Sequence, residues 1–280
     1  NIANVRYVYV LDLTLKAGGD APTFGNNVFH CERCDHFLMR NVVLVGPNPR
    51  LQPDNYQIQE VIKINQSQYV YLEHDDVSGT YQTGVDFFSV QHGHVLHNLI
   101  HDTGEWCMYF KGGSAYLRAE GNALHDCGLG FQAGEGSNFE VMQSPFIHYE
   151  SYDIKFVNNI LYDIAGTGLS AVGSYNVLFA YNTLYKVGTF DDGSGRGYPL
   201  FYLEQGGRGC LDFSENGEGN AEQICGGLIA EGGWGTTALG YENGGEWIPN
   251  RNIYVYNNLF YNPSGFQTLY THFYIRGPAT

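Results

Sequence analysis

Val95-Leu96-His97-Asn98-Leu99-Ile100-His101-Asp102-Thr103-Gly104 reads as the end of an alternating strand, then an asparagine, a short apolar stretch, a polar pair and a glycine. The same order returns in Arg118-Ala119-Glu120-Gly121-Asn122-Ala123-Leu124-His125-Asp126-Cys127-Gly128. It returns again in Phe156-Val157-Asn158-Asn159-Ile160-Leu161-Tyr162-Asp163, in Phe179-Ala180-Tyr181-Asn182-Thr183-Leu184-Tyr185-Lys186-Val187-Gly188 and in Val255-Tyr256-Asn257-Asn258-Leu259-Phe260-Tyr261-Asn262. Degenerate copies end at Gly46 and Gly79. The anchoring asparagines lie 24, 37, 23 and 76 residues apart along the chain. The unit is therefore 23 to 24 residues, and two units carry long insertions.

A short strand cannot bury its own apolar face, so a regular period of this length implies stacked copies that share one core. Leucine-rich repeats demand a leucine consensus and a helical back, and neither is present. A propeller blade needs about 40 residues. Composition agrees with strands and turns: 37 glycines and 15% aromatic residues disfavour helix, and no window has a helical period. The expectation is an all-β chain folded as a single-stranded right-handed parallel β-helix with a long loop insertion. Asn98, Asn122, Asn159, Asn182 and Asn258 would form an internal ladder at one corner, each amide bonded to the copy on the next coil. One domain, 1–280, is expected, interrupted at about 189–250, and the sequence reads as a mature form or as a piece of a longer chain.

The pattern strand–Asn–x–hydrophobic–His/Tyr–Asp/Asn–x–Gly resembles the parallel β-helix repeats of the pectin-lyase-like superfamily over roughly residues 28–265. The resemblance implies the fold, while function lies in residues grafted on it; no single enzyme family's catalytic set is matched. Superfamily members include polysaccharide lyases, glycoside hydrolases, epimerases and non-catalytic surface proteins. Its lyases use lysine or arginine as base, often with Ca²⁺ neutralising the substrate carboxylate. By that resemblance Lys111, after a strand and before Gly112-Gly113, is a candidate catalytic residue, with Arg118 on the next strand and His92 on the preceding coil. The plainer alternative is a solvated turn lysine.

Further candidates come from the residues themselves. The column Asp102, Asp126, Asp163 offers hard oxygen ligands that could take Ca²⁺, or each aspartate caps its own turn. No other cofactor is expected. Within the large insertion Trp234, Trp247, Tyr198 and Tyr202 could stack on sugar rings, with Arg196 and Arg208 beside them, or the rings could pack the loop down. Six cysteines suggest local disulfides and an oxidising, extracellular or cell-surface setting. Cys107 and Cys127 lie about one coil apart, Cys210 and Cys225 bracket a loop, and the Cys31–Cys34 CxxC admits a disulfide or a zinc site.

A net charge of −15 repels nucleic acid and anionic lipid, and no run is long and apolar enough to enter a membrane. Two functions remain. One is a secreted polysaccharide lyase acting on an acidic polysaccharide by β-elimination. The other is a non-catalytic structural, adhesive or filament-forming β-helix that binds glycans or self-assembles.

Overall fold

The computed structural model describes residues 1–17, 27–46, 59–137, 149–189, 198–204, 241–242, 245–246, 250–263 and 272–276. They form a parallel β-helix of three-sided coils. The first face is an eight-stranded sheet of Arg6–Leu11, Asp35–Arg40, Gln68–Glu73, Gln91–Leu96, Ser114–Glu120, Ser151–Val157, Ser174–Ala180 and Arg251–Tyr256, paired in that order. The second face holds Thr14–Lys16, Val43–Val45 and Asp76–Thr80, the first halves of Leu99–Lys111 and Ala123–Ala133, then Ile160–Ile164, Thr183–Val187 and Leu259–Tyr261. The third holds Ile2–Ala3, Phe29–Glu32, Glu60–Asn65 and Thr83–Phe88, the second halves of those two long strands, then Leu169–Val172, Phe201–Glu204 and Phe273–Arg276. The long strands turn the corner through a register shift between Thr103 and Trp106. All coil-to-coil pairs among the described residues are parallel, and parallel crossovers take the right hand.

Because strand side chains alternate, each face sends one set of residues inward. The inward set includes Phe37, Phe87, Phe110, Phe131, Phe156, Phe179 and Phe201, all essentially inaccessible. Phe87, Phe110 and Phe131 contact in sequence with ring centroids 5.1 and 5.2 Å apart, and Phe131 stacks on Phe156 at 4.3 Å.

The asparagine ladder forms as the spacing predicts. The Nδ2 of Asn98 donates to Asn122 Oδ1 (3.0 Å), Asn122 to Asn159 (2.9 Å), Asn159 to Asn182 (3.2 Å) and Asn182 to Asn258 (2.9 Å). Each Oδ1 also takes the backbone N–H of the preceding ladder residue, as in Asn122 N to Asn159 Oδ1 at 2.9 Å. The residue before the ladder position has left-handed backbone on coil after coil: Asp12, Asn41, His74, His97, Gly121, Asn158, Tyr181 and Asn257. The glycine that closes the repeat has a different cause. At Gly104 and Gly128, on the corner between second and third faces, an added Cβ would collide with the carbonyls of Tyr81 and Gly104 on the coil before.

The large insertion differs from the single excursion expected over 189–250. Phe201–Glu204 returns to the stack and pairs with Leu169–Val172 on one side and Phe273–Arg276 on the other. Alternation in Phe201-Tyr202-Leu203-Glu204 explains why: Phe201 and Leu203 are buried, and Tyr202 and Glu204 point out.

Candidate functional site

The outward side of the third face carries a continuous column of polar and aromatic residues. In register these are His30, Lys63, Asp86, Tyr109, Gln132, Ser170, Tyr202 and Tyr274. Outward residues of a sheet are ordinarily wet, yet Asp86, Tyr109, Gln132 and Ser170 are buried. Buried polar groups need partners, and here they find them along the column. Ser170 Oγ donates to Gln132 Oε1 (2.9 Å), and Tyr202 Oη donates to Glu204 Oε2 (2.6 Å) while its ring stacks on Tyr274.

The densest part is ionic. Lys63 Nζ donates to Glu60 Oε1 at 2.8 Å and to Asp86 Oδ2 at 2.9 Å, and Tyr109 Oη donates to the same Asp86 oxygen at 3.1 Å. Burial alone would lower the Lys63 pKa, but Asp86 and Glu60 outweigh it and hold the ammonium above the ordinary lysine range. Burial, then the Asp86 charge, pushes the Glu60 carboxyl up, against the pull of Lys63. Burial and Asp86 likewise hold the Tyr109 phenol well above its usual value. One oxygen each of Glu60 and Asp86 is buried with no hydrogen bond. A carboxyl that keeps its proton in such a pair relieves the repulsion between them.

Lys111 stands two residues beyond Tyr109 on the same strand. Its Nζ lies 4.3 Å from the Tyr109 ring centroid and pairs with Glu135. The two side chains reach solvent, at 16% and 38% exposure, so this pair is the accessible edge of the buried network. Glu105 lies close by, its pKa raised by burial and then by Glu135.

The structure does not bring His92 and Arg118 to Lys111. Both lie on the first face, whereas Lys111 lies on the third. His92 has left-handed backbone (φ 59°) and is stacked between Tyr69 and Tyr116, at centroid distances of 5.2 and 4.7 Å. Arg118 is exposed and pairs with Glu120. Neighbouring coils put residues at one level along the axis, but a three-faced coil distributes them around it. Asp102, Asp126 and Asp163 form the expected column, at a left-handed position of the second face (φ 53°, 53° and 52°). Asp102 Oδ2 is bonded to His101 Nδ1 at 2.7 Å and Asp126 Oδ2 to His125 Nδ1 at 2.8 Å, while Asp163 faces Lys186 at 3.8 Å. Among the described residues no group of three or more His, Cys, Asp or Glu side chains is arranged to hold a metal ion.

Cys31–Cys34 and Cys107–Cys127 are disulfides, with Cα separations of 6.2 and 5.6 Å. The zinc alternative for the CxxC falls with the first of them. Tyr198 is exposed, and Tyr202 belongs to the third-face column. Trp234, Trp247, Arg196, Arg208, Cys210 and Cys225 lie outside the described residues.

Sequence reasoning missed Glu60, Lys63, Asp86 and Tyr109. The signal was there: Lys63, Asp86 and Tyr109 follow one another at 23 residues, the ladder's own spacing. Lys63 and Asp86 each also interrupt an apolar run in mid-strand, in Val61-Ile62-Lys63-Ile64 and Val85-Asp86-Phe87.

No protein-family model matches the chain, and no curated protein matches it either. Among solved structures it is similar to the enzymatically active domain of tailspike protein 2 of bacteriophage CBA120, at 10% identity and a TM-score of 0.38. The match covers 96% of this chain and 38% of that one, so the chain spans little more than a third of that protein's length.

Proposed function

We propose that the protein is a secreted carbohydrate-active β-helix that holds an acidic polysaccharide along its third face and cleaves it by β-elimination beside Lys111. The observation that carries the reading is the Lys111–Glu135 pair, part-exposed at the edge of a buried acid–base network. The two disulfides favour an oxidising compartment. A lysine ammonium at neutral pH is a partner for an anion, so a uronate carboxylate competes with Glu135 for Lys111. Bound there its charge is neutralised, and the adjacent C5–H becomes more acidic. The displaced Glu135 carboxylate accepts that proton. The C–H electrons form the C4–C5 double bond, the bond from C4 to the glycosidic oxygen breaks, and that oxygen leaves with a proton from water.

The test is an ultraviolet assay for unsaturated uronate ends over a panel of polysaccharides, with Ca²⁺ and with chelator. Lys111→Ala and Glu135→Gln should each lower the rate by about 10²-fold or more, in the range for loss of an acid–base or charge-stabilising group. Lys155→Ala, exposed on the first face, should leave it unchanged. The second reading is non-catalytic glycan binding. It is favoured by the excess of carboxylates on and beside the same face, where Glu60, Asp86, Glu105 and Glu135 outnumber Lys63 and Lys111. Binding without any new unsaturated or reducing ends would establish it over the lyase.

A further inference from the structure

The asparagine ladder has an aspartate in it. One coil before Asn98 the ladder position is Asp75, which is 2% exposed. It takes part as the asparagines do: its backbone N–H donates to Asn98 Oδ1 (2.8 Å), and its own Oδ1 accepts the N–H of Val42 (2.8 Å). That fixes the carboxyl plane and leaves Oδ2 where the other rungs have Nδ2. On those rungs Nδ2 faces two acceptors. Asn98 Nδ2 donates to Leu72 O and Asn122 Oδ1, and Asn122 Nδ2 to Val95 O and Asn159 Oδ1. Carried one coil back, the same register makes Met39 O and Asn98 Oδ1 the corresponding acceptors for a donor at Asp75 Oδ2. Oδ2 itself is buried without a hydrogen bond, and only a proton on it would let it donate as the ladder amides do.

We propose that Asp75 stands in the ladder as an uncharged carboxylic acid whose Oδ2–H replaces the ladder amide, and that losing this proton loosens the coils it joins. The inference is independent of the proposed function. Burial pushes the Asp75 carboxyl up to about 7, against the backbone N–H groups of Val42 and Glu73, with the Glu73 charge adding to the rise. The other charged groups on the flanking strands and corner have partners of their own. Glu73 pairs with Arg40 and His94, His74 stacks on His97, Asp76 pairs with His101, and Asp12 bonds Asn41.

The direction with pH follows from linkage. The folded chain holds this proton more tightly than the unfolded chain, whose aspartate titrates near the ordinary 3.8. The stabilisation is complete below that value, is lost as pH rises toward about 7, and is absent above. This corner is therefore firmest in acid.

Thermal unfolding of the full chain between pH 5 and pH 8.5 tests it, with Asp75→Asn and Asn98→Asp beside the parent. Asp75→Asn installs the amide permanently. It should raise Tm at pH 8.5 by about 5 °C, on the scale of a kcal/mol or two in a chain this size, and by less at pH 5. Asn98→Asp adds a second acid rung and should lose more Tm at pH 8.5 than at pH 5. In the parent, exchange protection of the Val42 and Asp75 amides, corrected for intrinsic rate, should fall across the same interval. An Asp75→Asn protein that fails to fold, or melts no higher than the parent at pH 8.5, overturns the proposal. So does an Asn98→Asp protein whose loss is the same at both pH values.

Discussion

Single residues in this fold are selected by backbone shape as much as by side-chain chemistry. Among the described residues 23 other than glycine have positive φ, and they fall into four lines along the axis. One crosses the first face at the same position of all eight strands: Tyr7, His36, Tyr69, His92, Tyr116, Asp153, Asn176 and Asn252. A left-handed residue costs roughly 1–2 kcal/mol, least for Asn, Asp and Gly. The Asp102–Asp126–Asp163 column lies on another of these lines. Asp102→Gly should accordingly be tolerated, whereas Asp102→Val should lose about 1–2 kcal/mol in urea titrations. If added Ca²⁺ raised the parent's midpoint and Asp102→Gly abolished that rise, the column would be a cation site after all. In the ladder, Asn159→Ala would strand the N–H and Nδ2 groups of Asn122, both of which Asn159 Oδ1 accepts at 2.9 Å. The expected loss is about 3 kcal/mol by the same titration. These asparagines were legible in the sequence because one residue type recurs at one spacing. The Asp75 rung was not, because an aspartate in His74-Asp75-Asp76 looks like any solvated turn acid.

Elements were legible to the extent that their alternation was. The strands around Asn98, Asn122, Asn159, Asn182 and Asn258 stand where the repeat puts them. Phe201–Glu204 escaped notice because four alternating residues between long non-repeating stretches carry too little pattern to be told from loop. Its role bears on loop deletion: removing 191–246 would take this strand with it, so a deletion meant to spare the stack must begin after Glu204. The face on which a residue lies was the larger loss. A period gives position along the axis, whereas the angle around it depends on where each strand bends, and that is how His92 and Lys111 came to be grouped together. Charged residues in mid-strand were hidden for a related reason, since an outward lysine or aspartate is usually wet. Lys63→Met should show otherwise, because it leaves Glu60 and Asp86 buried without their cation. A loss of about 3–5 kcal/mol is expected, read from chemical denaturation. The Cys107–Cys127 bridge ties the second face to the third within consecutive coils and closes a 20-residue separation. Replacing both cysteines with serine should cost about 2–4 kcal/mol by the same measurement.

At the scale of the whole molecule each coil touches chiefly its two neighbours, with few contacts that skip one, such as Gln91 Nε2 to Tyr152 Oη at 2.7 Å, so stability is close to a sum of coil-to-coil contacts. Hydrogen exchange on the chain should show the greatest protection in the coils from Gln91 to Val187, where the phenylalanine contacts and ladder bonds are continuous, and less before Cys31. Uniform protection from coil to coil would contradict this. The register that gives the ladder its bonds has a further consequence. Residues 91–114 make one complete coil of 24 residues with no insertion, since Gln91 pairs with Ala115 on the next coil and with Gln68 on the one before. Doubling that unit, or excising it, would carry everything beyond it along the axis by one strand spacing, about 4.8 Å, without rotating any face out of line. The chain is in that sense a ruler with fixed gradations. The distance between any two marks on a face, such as Lys63 and Tyr202, is set by how many coils lie between them and can be reset only in whole steps.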